Sequence, residues 1–280
     1  MIEVGANSYG KSAIRLVKIV RNETPHRVRD LTVAIALEGD FEASYRAGDN
    51  AGVIATDTVK NTVYALAGEH LTGAIESFGL VLGRHFLAEP QVHRARVSID
   101  EHAWRPITTA PDAFTRDASS TRTAVVSVGR DATTIDAGFT GLSVMKTTRS
   151  AFEGFPRDRF TTLAETADRI MATKVTTSWR YAPNGSIDVD FDASFATIRS
   201  TFLEAFADHH SVSVQASIWI VGKAILERHP EVDEISMSLP NLHHWTVDLS
   251  AFGIENDREV YISTTEPHGL IEATIRRSDA

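Results

Sequence analysis

The stretch FDASFATIRSTFLEAFADHHSVSVQASIWIVGKAI, Phe191 to Ile225, reads as two helices in succession. Phe191, Phe195, Ile198, Phe202 and Phe206 step by four, three, four and four residues, and Val214, Ile218, Val221 and Ile225 keep the same spacing. Each segment therefore carries an apolar stripe along one helical face. Strand signals flank the pair. Leu142 to Thr147 (LSVMKT) and Val175 to Tyr181 (VTTSWRY) precede it, and Glu234 to Ser238, Trp245 to Leu249, Glu259 to Ser263 and Leu270 to Ile275 follow. Between the first two lies an insertion, Arg149 to Lys174, whose TTLAETADRIMAT portion reads as helical.

The first half of the chain runs in the same order. Ala13 to Val20 (AIRLVKIV) and Leu31 to Leu37 (LTVAIAL) read as antiparallel strands joined by the polar, proline-bearing Asn22 to His26. After the polar link Glu38 to Asn50, Thr56-Asp57-Thr58 forms a helix-capping cluster, and Val59 to Phe86 reads as two helices broken near Gly68 to Gly73. Strands return at Gln91 to Ile99 and Thr121 to Val128, around an excursion from Arg105 to Ser120. Two copies of a strand-strand-helix-helix-strand-strand unit predict an α+β fold with units at residues 1–138 and 139–280, each an antiparallel sheet with helices on one face. Such sheets leave a face and edges open, which predicts a symmetric homo-oligomer in which sheets of several subunits join.

The most polar interruption of this pattern is ISMSLPNLHHWTVDL, Ile235 to Leu249. Alternation on both sides brackets Leu239-Pro240-Asn241-Leu242-His243, and proline belongs at a strand end or edge. An amide and two imidazoles are thus expected where a sheet opens into a loop. Period two places Asn241 and His243 on one side of the chain and turns His244 away.

Composition narrows the chemistry. A chain of 280 residues with 42% hydrophobic content and a formal charge of -9 buries a sizeable core and lacks the basic face that nucleic acids require. Zero cysteines exclude disulfides, thiolate metal sites and a cysteine nucleophile. No apolar segment reaches the length of a signal peptide core or a membrane span, so a cytoplasmic location is expected, with no membrane partner. His209-His210 and His243-His244 are adjacent pairs whose side chains diverge, and no HExxH, GxGxxG, P-loop or GxSxG pattern occurs. Neither a metal nor a cofactor is expected.

What remains is a set of polar groups in distinctive settings along the chain, and their joint pattern resembles the urate oxidase (uricase) family. The matching segments are YGK at Tyr9 to Lys11, GDFEASYRAGDN at Gly39 to Asn50, ATDTVKNTVY at Ala55 to Tyr64 and GLSVMKTTRSAFEGFPRDRFTTLAETADRIMAT at Gly141 to Thr173. VSVQAS at Val212 to Ser217, SLPNLHHW at Ser238 to Trp245 and GLIEATI at Gly269 to Ile275 complete the match, which spans nearly the whole chain. The resemblance implies the tunnelling fold (T-fold), two tandem units per chain, and a homotetramer built around a tunnel.

It also implies residue roles. Lys11, Thr56 and His243 would be the catalytic proton relay, Phe152 the ring stacked on the purine, Arg169 and Gln215 the clamp on its edges, and Asn241 the group facing the oxygen or water position. Backbone groups at Thr56, Asp57 and Val214 would complete the substrate contacts. The site would lie between subunits, with Lys11 and Thr56 from one chain and the clamp and His243 from another. The implied reaction is the cofactor-free oxidation of urate by dioxygen and water to 5-hydroxyisourate and hydrogen peroxide. Other readings are another T-fold purine or pterin enzyme, whose zinc-using members need ligand sets this chain lacks, or a non-catalytic purine-binding oligomer. Leu242 stands where the family commonly has lysine and Trp245 where it has phenylalanine; Arg94 to Ser120 departs most from the family pattern. The ending RRSDA lacks a peroxisomal signal, in keeping with a bacterial-type cytoplasmic enzyme.

Overall fold

The computed structural model describes residues 2–108, 110–183 and 189–278. The chain divides into two compact units, Met1–Phe139 with Ser178–Phe195, and Thr140–Thr177 with Ala196–Ala280.

The first unit opens with an antiparallel pair, β1 (Tyr9–Val20) and β2 (Arg27–Gly39), registered through Leu16 and Leu31. Strands β3 (Val92–Glu101) and β6 (Thr121–Gly129) extend the sheet in the order β1-β2-β3-β6, all antiparallel. A two-stranded excursion, β4 (Trp104–Pro106) and β5 (Phe114–Arg116), interrupts the connection between them. Alternate residues of β2 (Leu31, Val33, Ile35, Leu37) and of β3 (Ala95, Val97, Ile99) are buried, as a half-covered sheet requires. A short helix, α1 (Glu42–Ala47), precedes the two covering helices, α2 (Thr56–His70) and α3 (Ile75–Leu87). Glycines let α3 approach closely: a Cβ on Gly83 would stand 2.4 Å from Val128 Cγ2. At the start of α3, buried Glu76 accepts from Arg122 at 2.7 Å, and the Arg122 guanidinium lies 4.5 Å from the Phe195 ring. Burial opposes the Arg122 charge, but Glu76, Asp192 and Glu101 around it hold its pKa above the ordinary value.

In the second unit the order is β7-β8-β9-β10, with β7 (Thr133–Lys146) and β8 (Met171–Tyr181) entering from the first unit or returning to it. Helix α4 (Phe191–Asp208) leads to α5 (Val214–Arg228), which packs on β9 (Val232–Thr246) and β10 (Tyr261–Arg276). Ser213 caps α5 by accepting from Ala216 N at 3.1 Å. Gly222 repeats the close approach of Gly83, since a Cβ there would lie 2.6 Å from Ile275 Cγ1. The element order of each half therefore follows the predicted repeat, and the α+β class with antiparallel sheets holds.

Three local expectations fail. Thr161 to Ile170 is not helical: Thr166 pairs with Phe152 as an isolated bridge, and from Met171 the chain is already β8. The reason is local side-chain bonding. Thr166 Oγ1 donates to Asp168 O at 2.8 Å, and the Asp168 carboxylate accepts from Arg149 N at 2.8 Å and from Thr148, so polar side chains satisfy the backbone in an irregular form. Second, Pro240 does not interrupt its strand. It pairs with Leu270 inside a continuous β9, and the irregularity lies on β10, where Thr264 pairs with His243 but Gly269 pairs with Asn241. Third, β9 ends at Thr246 and a 3-10 turn at Ser250–Phe252 follows, so Trp245 to Leu249 is not a separate strand.

Exposed apolar residues persist on both units, among them Val17 (58% exposed) on β1 and Leu270 (58%) on β10. No helix among the described residues is long and apolar enough to cross a membrane.

Candidate active site

A cavity of about 580 Å³ opens in the second unit. Phe152, Arg169, Val214, Gln215, Asn241 and His243 all line it, so one site gathers six expected residues from four separate stretches of sequence. Each is placed by a backbone pairing. Phe152 N donates to Thr166 O at 2.8 Å, and Arg169 N donates to Ser150 O at 2.7 Å, which sets these side chains side by side. Val214 and Gln215 open α5 directly after its serine cap, with Val214 buried and Gln215 exposed to the cavity mouth. Asn241 and His243 face the bulge of β10, and bulges commonly re-aim side chains beside functional sites.

The electrostatics suit a flat anion. The Arg169 guanidinium lies 5.2 Å from the centre of the Phe152 ring. Its Nε is buried without a hydrogen-bond partner, and it forms no ion pair among the described residues. Burial lowers the Arg169 pKa from its ordinary value, the mark of a cation held out of water with its hydrogen-bonding fork free. Its neighbour Asp168 is engaged elsewhere: Arg258 donates to Asp168 O at 2.7 Å and to Asp168 Oδ2 at 3.2 Å. Burial works against the Asp168 charge, but bonds from Thr148 and the Arg149 amide hold its pKa below the usual carboxylate range. His243 is shifted downward, first by burial and then by the positive charge of Arg169, so its imidazole favours the neutral form.

Sequence reasoning missed some lining residues. His244 also borders the cavity, next to His243. The β10 bulge opposite leaves Thr265 to His268 without partners on β9, between the pairs made by His243 and Asn241. Trp245 stacks on His243 with ring centres 5.4 Å apart, and Arg258, Tyr261 and Ile271 are among the other residues of the wall. Arg258 had no signal beyond a polar turn. Its backbone has φ 59°, and Asn256 holds that turn by accepting from Glu259 N and Val260 N.

Lys11, Thr56 and Asp57 do not line this cavity; they belong to the first unit. Lys11 lies on β1 just before a bulge that spans Lys11 to Ile14, where Ala13 adopts φ 55°. Thr56 is the first residue of α2, and Ala55 occupies the capping position without a side-chain cap, contrary to the capping role expected of the Thr56 cluster. Thr56 is thereby left free of a cap bond. Asp57 is bonded by Lys60 at 2.5 Å, and Lys60 chiefly, with Lys11 adding its charge, holds the exposed Asp57 carboxyl below the ordinary range. Helix α2 packs on β1, the strand that carries Lys11.

Comparison with known proteins places these features. The uricase family profile matches residues 7–127 and 135–272. A uricase of Arthrobacter globiformis is 48% identical over 277 residues, covering 99% of this chain and 90% of its own length. One from Aspergillus flavus is 37% identical, covering 99% and 98%. The crystal structure of the uricase from Arthrobacter globiformis superposes with a TM-score of 0.96 at 47% identity, covering 100% of this chain and 96% of that one. The chain shares the T-fold of those structures. By profile, by sequence over nearly its full length and by fold, this chain belongs to the uricase family.

Proposed function

We propose that the protein is a urate oxidase, converting urate, dioxygen and water to 5-hydroxyisourate and hydrogen peroxide. The observation that carries this reading is the half-buried Arg169, without a carboxylate partner, beside the Phe152 ring in a cavity that also holds the Gln215 amide. Urate is a flat anion with alternating donors and acceptors. A guanidinium fork matches two acceptors on its edge, a glutamine amide supplies a donor and an acceptor, and a phenyl face covers the ring.

The chemistry follows from the substrate. Lys11, Thr56 and His243 form a relay that removes a proton from bound urate, and the resulting dianion is a strong enough reductant to pass two electrons to dioxygen. The relay protonates the peroxide and then helps a water near Asn241 add to dehydrourate, giving 5-hydroxyisourate. A neutral His243 suits such transfer. Because Lys11, Thr56 and Asp57 do not line the cavity of their own chain's second unit, the reading is supported best by a homotetramer in which one chain's Lys11 and Thr56 complete another chain's cavity. Exposed apolar strand residues such as Val17 and Leu270 support association. A cytoplasmic enzyme needing no cofactor completes the proposal.

Incubating the protein with urate in air-saturated buffer containing a chelator tests it. Loss of the urate absorbance with formation of peroxide is expected, and undiminished urate would reject it.

A further inference from the structure

Behind the cavity wall runs a buried polar chain to which the reaction assigns no part. Ser150, Ser211 and Ser217 are each 0% exposed. Ser211 joins two stretches of the wall through its backbone: its N donates to Arg149 O at 2.9 Å, and its O accepts from Ala151 N at 2.6 Å. The strand thus held is the one that carries Phe152 and, through Ser150 O, the amide of Arg169. On its other side Ser211 leads within a few residues to Val214 and Gln215 at the start of α5. The distance between the Arg169 arm and the Gln215 arm therefore depends on how Ser211 is seated.

Ser211 is seated by side chains. Its Oγ lies 2.8 Å from Ser217 Oγ, in the first turns of α5, and Ser217 Oγ lies 2.8 Å from His209 Nε2. The other ring nitrogen, Nδ1, is 2.7 Å from Ala205 O, which can only accept, so Nδ1 carries the proton. Burial lowers the pKa of His209 and favours the neutral ring, leaving Nε2 as an acceptor. Ser217 Oγ thus sits 2.8 Å from both His209 Nε2 and Ser211 Oγ, His209 donates to Ala205 O, and Ser211 Oγ donates to Ser213 O at 3.1 Å. The far end is fixed by buried Lys146, whose Nζ donates to Phe206 O at 2.9 Å, Ala207 O at 3.1 Å and His209 O at 2.6 Å.

We propose that His209 is a positioning residue for urate, setting through Ser217 and Ser211 the spacing between the Arg169 and Phe152 wall and Gln215. The proposal rests on the urate reading of the cavity. A clamp that must meet both edges of a rigid ring tolerates little misplacement, because a shift near 1 Å can cost on the order of 10²-fold in activity.

The test is the dissociation constant for urate measured without oxygen, together with the thermal midpoint, for His209→Phe, Ser217→Ala and His209→Gln. His209→Phe removes both ring nitrogens and is expected to weaken urate binding by about tenfold or more. Ser217→Ala cuts the chain at its middle and decides the matter if His209→Phe does not fold. His209→Gln, whose amide can accept from the same hydroxyl, should restore affinity to within about threefold. A side chain that only stabilises the fold would change the thermal midpoint and leave the affinity of the folded protein unchanged. Wild-type affinity in both His209→Phe and Ser217→Ala, or in Ser217→Ala alone if the other is unfolded, would overturn the proposal while leaving the urate reading intact. Absence of urate binding by the wild-type protein would overturn both.

Discussion

The Arg169 guanidinium stands 5.2 Å from the centre of the Phe152 ring with its Nε buried and unbonded. The contact is a cation held against an aromatic face, with the fork left open to the cavity. A charged hydrogen bond to substrate contributes roughly 1.5–3 kcal/mol. Arg169→Ala should therefore weaken urate binding by about tenfold to a hundredfold, read by anaerobic titration. Arg169→Lys should recover little of it, because an ammonium cannot present two parallel donors to one edge. Affinity for urate in Arg169→Lys equal to wild type would remove the clamp from the account.

Lys11 should behave in the opposite way. As part of the proposed relay it would serve the proton transfers rather than the recognition edges, so Lys11→Ala is expected to keep urate affinity within a few-fold and to lower kcat by about 10²–10⁴-fold. Steady-state kinetics alongside anaerobic binding separate the two effects. Wild-type turnover in Lys11→Ala would dismiss the relay.

His243 sets a pH dependence whose sign is fixed by its surroundings. Burial first, and the Arg169 charge next, lower its pKa below 6.5, the ordinary imidazole value. The relay needs the neutral ring, so the acid limb of kcat/KM assigned to His243 should lie below pH 6.5. Removing the Arg169 charge should move that limb upward, toward the ordinary value. Stability follows the same sign: between the folded and unfolded pKa values the unfolded chain binds more protons, so the contribution of His243 falls as pH drops through that window. An acid limb above 6.5 that vanishes in His243→Asn would contradict the stated environment.

The fold makes its own prediction at Gly83. A Cβ there would stand 2.4 Å from Val128 Cγ2, so Gly83→Ala must push α3 away from β6. The cost expected for such overpacking is about 1–3 kcal/mol, measured as a lower urea midpoint. Helix propensity alone would predict a gain of up to about 1 kcal/mol, so the sign of the change decides between the two effects.

The repeat and its helix pairs were legible because their apolar spacing is set by packing: Phe191, Ile198, Phe202 and Phe206 are all buried, as are Val214, Ile218, Val221 and Ile225. Asn241 and His243 were legible from the alternation around Pro240, whereas Arg169 and Gln215 were legible only through family resemblance, since neither carries a periodic signal. What escaped had local causes. Thr161 to Thr173 has helical composition, yet Thr166 and Asp168 spend their polar groups on nearby backbone. The bulge of β10 was invisible because its extra residues, Thr265 to His268, read as an ordinary turn between two strands. Arg258 reaches Asp168 across a long sequence separation that no local pattern encodes.

The central claim is that one chain's cavity is completed by Lys11 and Thr56 of another. Subunit complementation tests it most directly. Lys11→Ala and Arg169→Ala chains, each strongly impaired at urate concentrations far below KM, are unfolded together, refolded as a mixture and assayed for urate oxidation at such a concentration. Some hybrid sites would then pair an intact Lys11 with an intact Arg169, and activity should rise well above that of either variant refolded alone. If the mixture shows only the sum of the two separate activities while wild-type protein treated in the same way regains full activity, the two halves of the site do not come from different chains.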